Sequence, residues 1–307
     1  MHHLCCGLRS RIARVSGKES WKKSRCRGFV SRKNVFYQLI GRQGIDVHMS
    51  VPAFVEKKKR GEKIAMLTAY DYMVAKLLEA AGVDGLLVGD SLGMVVQGRE
   101  NTLPVTLEQM IYHAEMVCRG APSSLVVVDL PFPAQFLGIE KTVANAAQVL
   151  KESAAQAVKL EVGAGDAEAI SALTAAGIPV MAHCGLRPQT VHQMGGYRVH
   201  RDEKQLQADA QAVEAAGAFA LVLECVPAAA AAQISSQLAI PTIGIGAGAG
   251  CDGQILVIQD LLGIPDSNVP KHVKAYAALG EQIVAVAEDY CTDVRNGKFP
   301  ADEQTFV

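Results

Sequence analysis

Three times the chain ends an alanine-rich stretch on glycine just before an apolar run, and that recurrence limits the possible folds more than any other feature. Glu79-Ala80-Ala81-Gly82, Thr174-Ala175-Ala176-Gly177 and Glu214-Ala215-Ala216-Gly217 each precede a segment rich in Val, Ile or Leu. Glycine adopts the left-handed conformation that closes a helix at little steric cost, after which the chain can turn into a strand. Helix stop followed by strand, repeated, predicts a βα repeat. Eight strand candidates follow from residue 62 onward: Ile64–Tyr70, Gly85–Gly89, Leu125–Leu130, Val158–Val162, Pro179–His183, Ala218–Cys225, Pro241–Ile245 and Gln254–Ile258. Their apolar runs are continuous rather than alternating, which suits parallel strands covered on both faces. Eight of them favour a closed (β/α)₈ barrel of the TIM type in a single domain. A Gly-rich link joins strands 7 and 8, so one helix should be vestigial or missing. A helix from about Lys271 to Val294 should close the body. The rival is an open doubly wound sheet with GIGAGAG (244–250) as its dinucleotide loop. That segment lacks the GxGxxG spacing and the long helix such a loop needs, so the rival is weaker.

Charge divides the chain unevenly. Residues 1–48 hold eleven lysines and arginines against Glu19 and Asp46, together with Trp21, the sole tryptophan, and three of eight cysteines. They show no helical or strand period. An Arg-rich, acid-poor head resembles a transit peptide. The simpler expectation is a disordered extension upstream of Met49, where a folded enzyme of residues 49–307 reads as starting. N-terminal sequencing of native protein distinguishes the two. The remainder carries nineteen basic and twenty-nine acidic residues, which argues against nucleic acid as a partner. No apolar run approaches the ~18 residues of a membrane helix. The five body cysteines, 118, 184, 225, 251 and 291, show no metal or CxxC spacing. They read as reduced thiols of a cytoplasmic protein.

In a barrel, side chains at the C-terminal ends of the strands meet at the mouth where chemistry occurs. Strand 2 ends in Asp90-Ser91, strand 3 in Asp129, strand 4 carries Lys159 and Glu161, strand 5 ends in His183, and strand 6 carries Glu224. Carboxylates gathered from successive strands repel unless something positive lies between them. A hard divalent cation such as Mg²⁺ answers that need with oxygen ligands. Plainer readings stand beside this one. Asp90 could cap a helix, Lys159 and Glu161 share a strand face and could form a structural ion pair, and His183 could be a satisfied core histidine. Asp129, between Val128 and Leu130, is the least easily incidental, because an unpaired buried carboxylate is costly. Glu224, in the apolar run Leu221-Val222-Leu223, suits a general base.

At these residues the sequence resembles a known family. LTAYDY (67–72), VGDSLGMVVQGRENTLPVT (88–106), YHAEMVCRGAP (112–122), VVDLPF (127–132), KLEVG (159–163), PVMAHCGLRPQ (179–189), GGYRV (195–199), LVLECVP (221–227), IPTIGIGAGAGCDGQILV (240–257) and the closing GKFP are similar to the ketopantoate hydroxymethyltransferase family. The likeness runs from about Met49 to the C-terminus, and the basic head has no counterpart in it. The resemblance implies a (β/α)₈ enzyme carrying a one-carbon unit from 5,10-methylenetetrahydrofolate to 3-methyl-2-oxobutanoate. It implies a magnesium site at Asp90, Asp129 and Glu161, the last binding directly or through water. Substrate contacts are implied at Asp90, Ser91, Asp129, Lys159 and His183, and a proton acceptor at Glu224. A large homo-oligomer, a decamer, is implied as well. Two departures from the family pattern stand out: Val162 replaces a glycine, and Ala182 and Cys184 flank His183. Other readings are an oxo-acid lyase or mutase on the same barrel, a Schiff-base aldolase using Lys159, and a non-catalytic barrel binding an anion at GIGAGAG.

Overall fold

In the computed structural model the described residues are 48–306, apart from 197, 198 and 265–268. The expected disordered extension therefore lies, His48 excepted, outside the described residues. Eight strands close on themselves in sequence order, β1 (Ile64–Thr68), β2 (Gly85–Val88), β3 (Leu125–Asp129), β4 (Ala157–Glu161), β5 (Val180–Gly185), β6 (Ala220–Glu224), β7 (Thr242–Ile245) and β8 (Gly253–Leu256). All neighbours are parallel, and β8 pairs back onto β1. The (β/α)₈ barrel is confirmed. Around it run α1 (Val51–Lys59), α2 (Tyr72–Ala80), α3 (Leu92–Val95), α4 (Leu107–Gly120), α5 (Ile139–Ser153), α6 (Ala167–Ala175), α7 (Val191–Met194), α8 (Glu203–Ala215), α9 (Ala228–Gln237), α10 (Ile258–Leu262) and α11 (Leu279–Arg295). Gly82, Gly177 and Gly217 take φ of +82°, +80° and +97°, so the three stop signals are left-handed helix ends. Residues 246–252 between β7 and β8 hold no helix, as their glycines foretold.

The closing helix begins later than expected, at Leu279 rather than Lys271. The intervening backbone is engaged elsewhere. Tyr276 N–H donates to Leu261 O at 2.8 Å and Gly280 N–H to Gly263 O at 3.0 Å, so this stretch braces the end of α10 instead of coiling.

Strand side chains alternate between two cores, as a period of two requires. Leu86, Val88, Val126, Val128, Val158, Leu160, Leu221 and Leu223 face outward to the helices. Ile64, Met66, Leu87, Leu125, Val127, Ala157, Met181, Ala220, Val222, Ile243 and Ile255 fill the interior. The sequence reading missed α1, which seals the barrel at the end where the strands begin. Ser50 caps it, its side chain accepting from Ala53 N–H. Its Phe54 is fully buried, packing edge-on against Phe219 with ring centres 5.9 Å apart. Such a ring contributes roughly 1.5–3 kcal/mol by burial. Its Lys58 Nζ donates to Ser235 O and Ile240 O at 2.7 and 2.9 Å and pairs with Asp252 at 2.8 Å, while Lys57 pairs with Asp84.

Candidate active site

The interior alternation places the chemistry. Directly above the apolar layer, the next inward position on β3 is Asp129, on β4 Lys159 and then Glu161, on β5 His183 and on β6 Glu224. Asp90 and Ser91 follow β2 immediately. All of these line one cavity of about 830 Å³. Gly89 permits the approach, since a Cβ there would stand 2.8 Å from Ser91 Oγ and 3.4 Å from Asp129 Oδ2.

Register decides the pairing. Asp129 lies opposite Lys159 in the β3–β4 ladder, and Lys159 Nζ binds Asp129 Oδ1 at 2.7 Å. The structural ion pair considered between Lys159 and Glu161 is thus formed with Asp129 instead. Burial opposes the charge on Lys159, but Asp129, Glu161 and Asp90 together hold its ammonium above the usual lysine range. With its ammonium engaged by Asp129 at 2.7 Å, Lys159 presents no free amine, so the geometry lends the Schiff-base aldolase reading no support. Lys159 Nζ also lies 3.2 Å from His183 Nδ1. Having only donors, the ammonium makes that nitrogen an acceptor and leaves the His183 proton on Nε2. Burial, reinforced by Lys159, pushes His183 below the ordinary histidine range. Its Nε2 stands 3.3 Å from Glu224 Oε2, off the line of a good hydrogen bond. His183 thus lies between the lysine and Glu224, hydrogen-bonded to the first only.

Glu224 is less buried than its apolar run suggested. Its side chain is 20% exposed, at the cavity wall. The next residue, Cys225, takes φ +51°, a left-handed backbone uncommon outside glycine. Cys225 N–H donates to Ile245 O at 2.9 Å and its own O accepts from His200 N–H at 3.2 Å, fixing the turn that follows Glu224.

Asp90, Asp129 and Glu161 are each at most 4% exposed. Burial, and then Asp129, raise the Asp90 carboxyl to about 7. Burial and Asp90 push Glu161 well above the usual range. Ionised together, these three carboxylates would outnumber the one ammonium beside them, an excess of negative charge that a divalent cation would offset. Glu161 Oε1 has no hydrogen-bond partner among the described residues, which suits an oxygen ligand. Among the described residues no three acidic, His or Cys side chains form a ready-made cage. Mg²⁺ needs no such cage, since it binds through one or two carboxylates and completes its shell with water and substrate.

Several residues of the site escaped the sequence reading. Gln189, after β5, donates from Nε2 to Asp90 Oδ2 and Leu130 O, both at 2.9 Å, and from its backbone N–H to Glu161 Oε2 at 2.9 Å. It ties together two acids that lie 71 positions apart in the numbering. Gln135 clasps the backbone of Glu161, its Nε2 donating to the carbonyl and its Oε1 accepting from the N–H. Tyr70 OH lies 2.8 Å from Ser91 Oγ, and burial keeps its phenol protonated. The only signal for Gln189 and Tyr70 was their place inside PVMAHCGLRPQ and LTAYDY.

Comparison with known proteins settles the lineage. The family described as ketopantoate hydroxymethyltransferase matches residues 48–302. The chain belongs to that family. Among ketopantoate hydroxymethyltransferase relatives, the 3-methyl-2-oxobutanoate hydroxymethyltransferase of Rhodopirellula baltica is 55% identical over 81% of this chain and 93% of its own. That of Syntrophus aciditrophicus is 52% identical over the same shares. Solved structures with the same barrel include 2,3-dimethylmalate lyase, at 20% identity and TM-score 0.54 over 83% of this chain and 91% of that one. Phosphonopyruvate hydrolase, at 16% identity, has TM-score 0.56 over 84% and 92%. These speak to fold alone, so the lyase and mutase reading gains nothing from them, while identities above one half favour the ketopantoate hydroxymethyltransferase family. Its two departures here meet in space: Cys184 Sγ lies 3.3 Å from the carbonyl of Val162, which is buried beside Glu161. The five body thiols are free, and no helix among the described residues is long and apolar enough to cross a membrane.

Proposed function

We propose that the chain transfers a hydroxymethyl group from 5,10-methylenetetrahydrofolate to 3-methyl-2-oxobutanoate, giving 2-dehydropantoate on the route to pantothenate and coenzyme A. The observation that carries the reading is Glu224, a carboxylate facing the same cavity as a buried acidic cluster short of positive charge. Mg²⁺ held by Asp90 and Asp129, with Glu161 directly or through water, would supply Lewis-acid stabilisation of negative charge on the keto oxygen. The chain's own groups do the rest. Lys159 has spent two of its three N–H donors on Asp129 and His183, leaving one for the substrate's carboxylate end. Tyr70, by donating to Ser91 Oγ, frees the serine proton for the same end. Glu224 takes the proton from C3, and the electron pair of that C–H bond becomes the enolate double bond. Water releases the one-carbon unit from the folate as formaldehyde, both C–N bonds breaking while the two nitrogens take up the water's hydrogens and tetrahydrofolate leaves. The enolate carbon attacks that aldehyde carbon, and the resulting alkoxide takes back the proton held by Glu224 to become the new hydroxyl.

Mixing protein, Mg²⁺, 3-methyl-2-oxobutanoate and methylenetetrahydrofolate should yield 2-dehydropantoate, and a chelator should stop both this and folate-free deuterium exchange at C3. Exchange that survives chelation would strip the metal of its role.

We also infer a homo-oligomer in the cytoplasm. Its support is α11, a 17-residue helix that buries none of its side chains in this chain. Ile283, Val284, Val286 and Tyr290 are each more than half exposed on it, an apolar face that a second copy would cover. The free thiols suit a reducing compartment. Sedimentation showing a lone 32.6 kDa species would refute the assembly.

A further inference from the structure

The cavity has a second polar wall, apart from the acidic cluster. In barrel order β8 lies across from β4, so the residues following β8 face the acidic cluster from the far side. There α10 presents Gln259 and Asp260 to the cavity, with Ile264, Pro270 and His272 nearby and Met94 and Val95 of α3 also lining it. Gln259 Oε1 is buried without a hydrogen-bond partner among the described residues. Asp260 is half-buried, and the one charge among the described residues that acts on it, besides its burial, is His272. Two acceptors, one of them charged, thus line the cavity alongside Arg99, Thr102 and a set of apolar side chains. A site built to hydrogen-bond a ligand's donors discriminates strongly against ligands that lack them. The volume, about 830 Å³, is that of a site for a drug-sized molecule rather than for a five-carbon acid.

We propose that Asp260 and Gln259 bind the pyrimidine edge of the folate's pterin ring. That edge offers N3–H and a 2-amino group side by side. The Asp260 carboxylate accepts from both, in the paired geometry a carboxylate favours, and Gln259 Oε1 accepts the remaining amino hydrogen. The flat ring is then covered by the apolar side chains that line the same cavity, with its one-carbon end directed across the barrel toward Glu224. The inference rests on the reading of this chain as a folate-dependent enzyme and names the residues that would recognise the folate.

Tetrahydrofolate binding, measured by anaerobic calorimetry with Mg²⁺ and 3-methyl-2-oxobutanoate present, tests it. Asp260→Asn should weaken tetrahydrofolate roughly ten- to hundredfold, the cost of losing hydrogen bonds to a charged group, and Gln259→Leu should weaken it less. A tetrahydrofolate analogue lacking the 2-amino group should bind wild-type protein more weakly by a similar factor, and should lose less than tetrahydrofolate does on going to the Asp260→Asn variant, since only its N3–H still meets that side chain. The comparison of the two ligands on wild-type protein needs no variant to fold. Wild-type protein that binds tetrahydrofolate while Asp260→Asn binds it equally well, or that does not distinguish the analogue, overturns the pterin assignment and leaves the function standing. Wild-type protein that binds no tetrahydrofolate overturns the functional reading itself.

Discussion

Glu224→Gln is expected to slow deuterium exchange at C3 of 3-methyl-2-oxobutanoate by about two to four orders of magnitude, the usual share of a positioned base. Glutamine keeps the shape of the side chain, so the cavity should be unchanged. What it cannot do is take up a proton. The oxo acid should therefore bind about as well as before, and calorimetry with the unreacted acid would confirm it. Following exchange by proton resonance without folate isolates this step from carbon–carbon bond formation. Exchange at the normal rate would disqualify Glu224 and turn attention to His183, the neighbouring group with a nitrogen proton of its own.

The second large effect concerns stability as much as rate. Lys159 is the ammonium set among Asp90, Asp129 and Glu161, itself 5% exposed. Lys159→Ala leaves buried carboxylates without their counter-charge, and breaking a buried pair by removing one partner costs about 3–5 kcal/mol. That is a large fraction of the net stability of a typical domain. Urea unfolding in chelator should register the loss. The variant should also bind the oxo acid more weakly, having lost the donor aimed at its carboxylate. A change below about 1 kcal/mol would mean that the attraction of Lys159 to Asp129 only balances the cost of burying the ammonium, and would remove its stabilising role.

Much of this arrangement could be read from the residues. The eight strands announced themselves through unbroken apolar runs, and the missing helix before β8 through its glycines. Each polar residue of the mouth was legible because it interrupts such a run: Asp129 after Val126-Val127-Val128, Glu224 after Leu221-Val222-Leu223. What could not be read was who faces whom across strands. That Lys159 meets Asp129 rather than Glu161 follows from the β3–β4 register, a long-range property with no local signature. Gln189 was silent for a related reason: its amide is an ordinary loop residue until folding sets it between Asp90 and Glu161. The late start of α11 likewise depends on where its upstream backbone finds partners. Helix α1 went unnoticed because its short, lysine-rich sequence carries a single deeply buried anchor, Phe54.

That same helix has a kinetic corollary. With Phe54 and the aliphatic layer above it stopping one end, the reaction chamber is a blind-ended vessel entered from the opposite end. If the acid sits deepest and the pterin lies across the threshold, as proposed, the acid should enter first and the spent folate should depart before the lengthened acid. Product-inhibition patterns would betray any other sequence of arrivals.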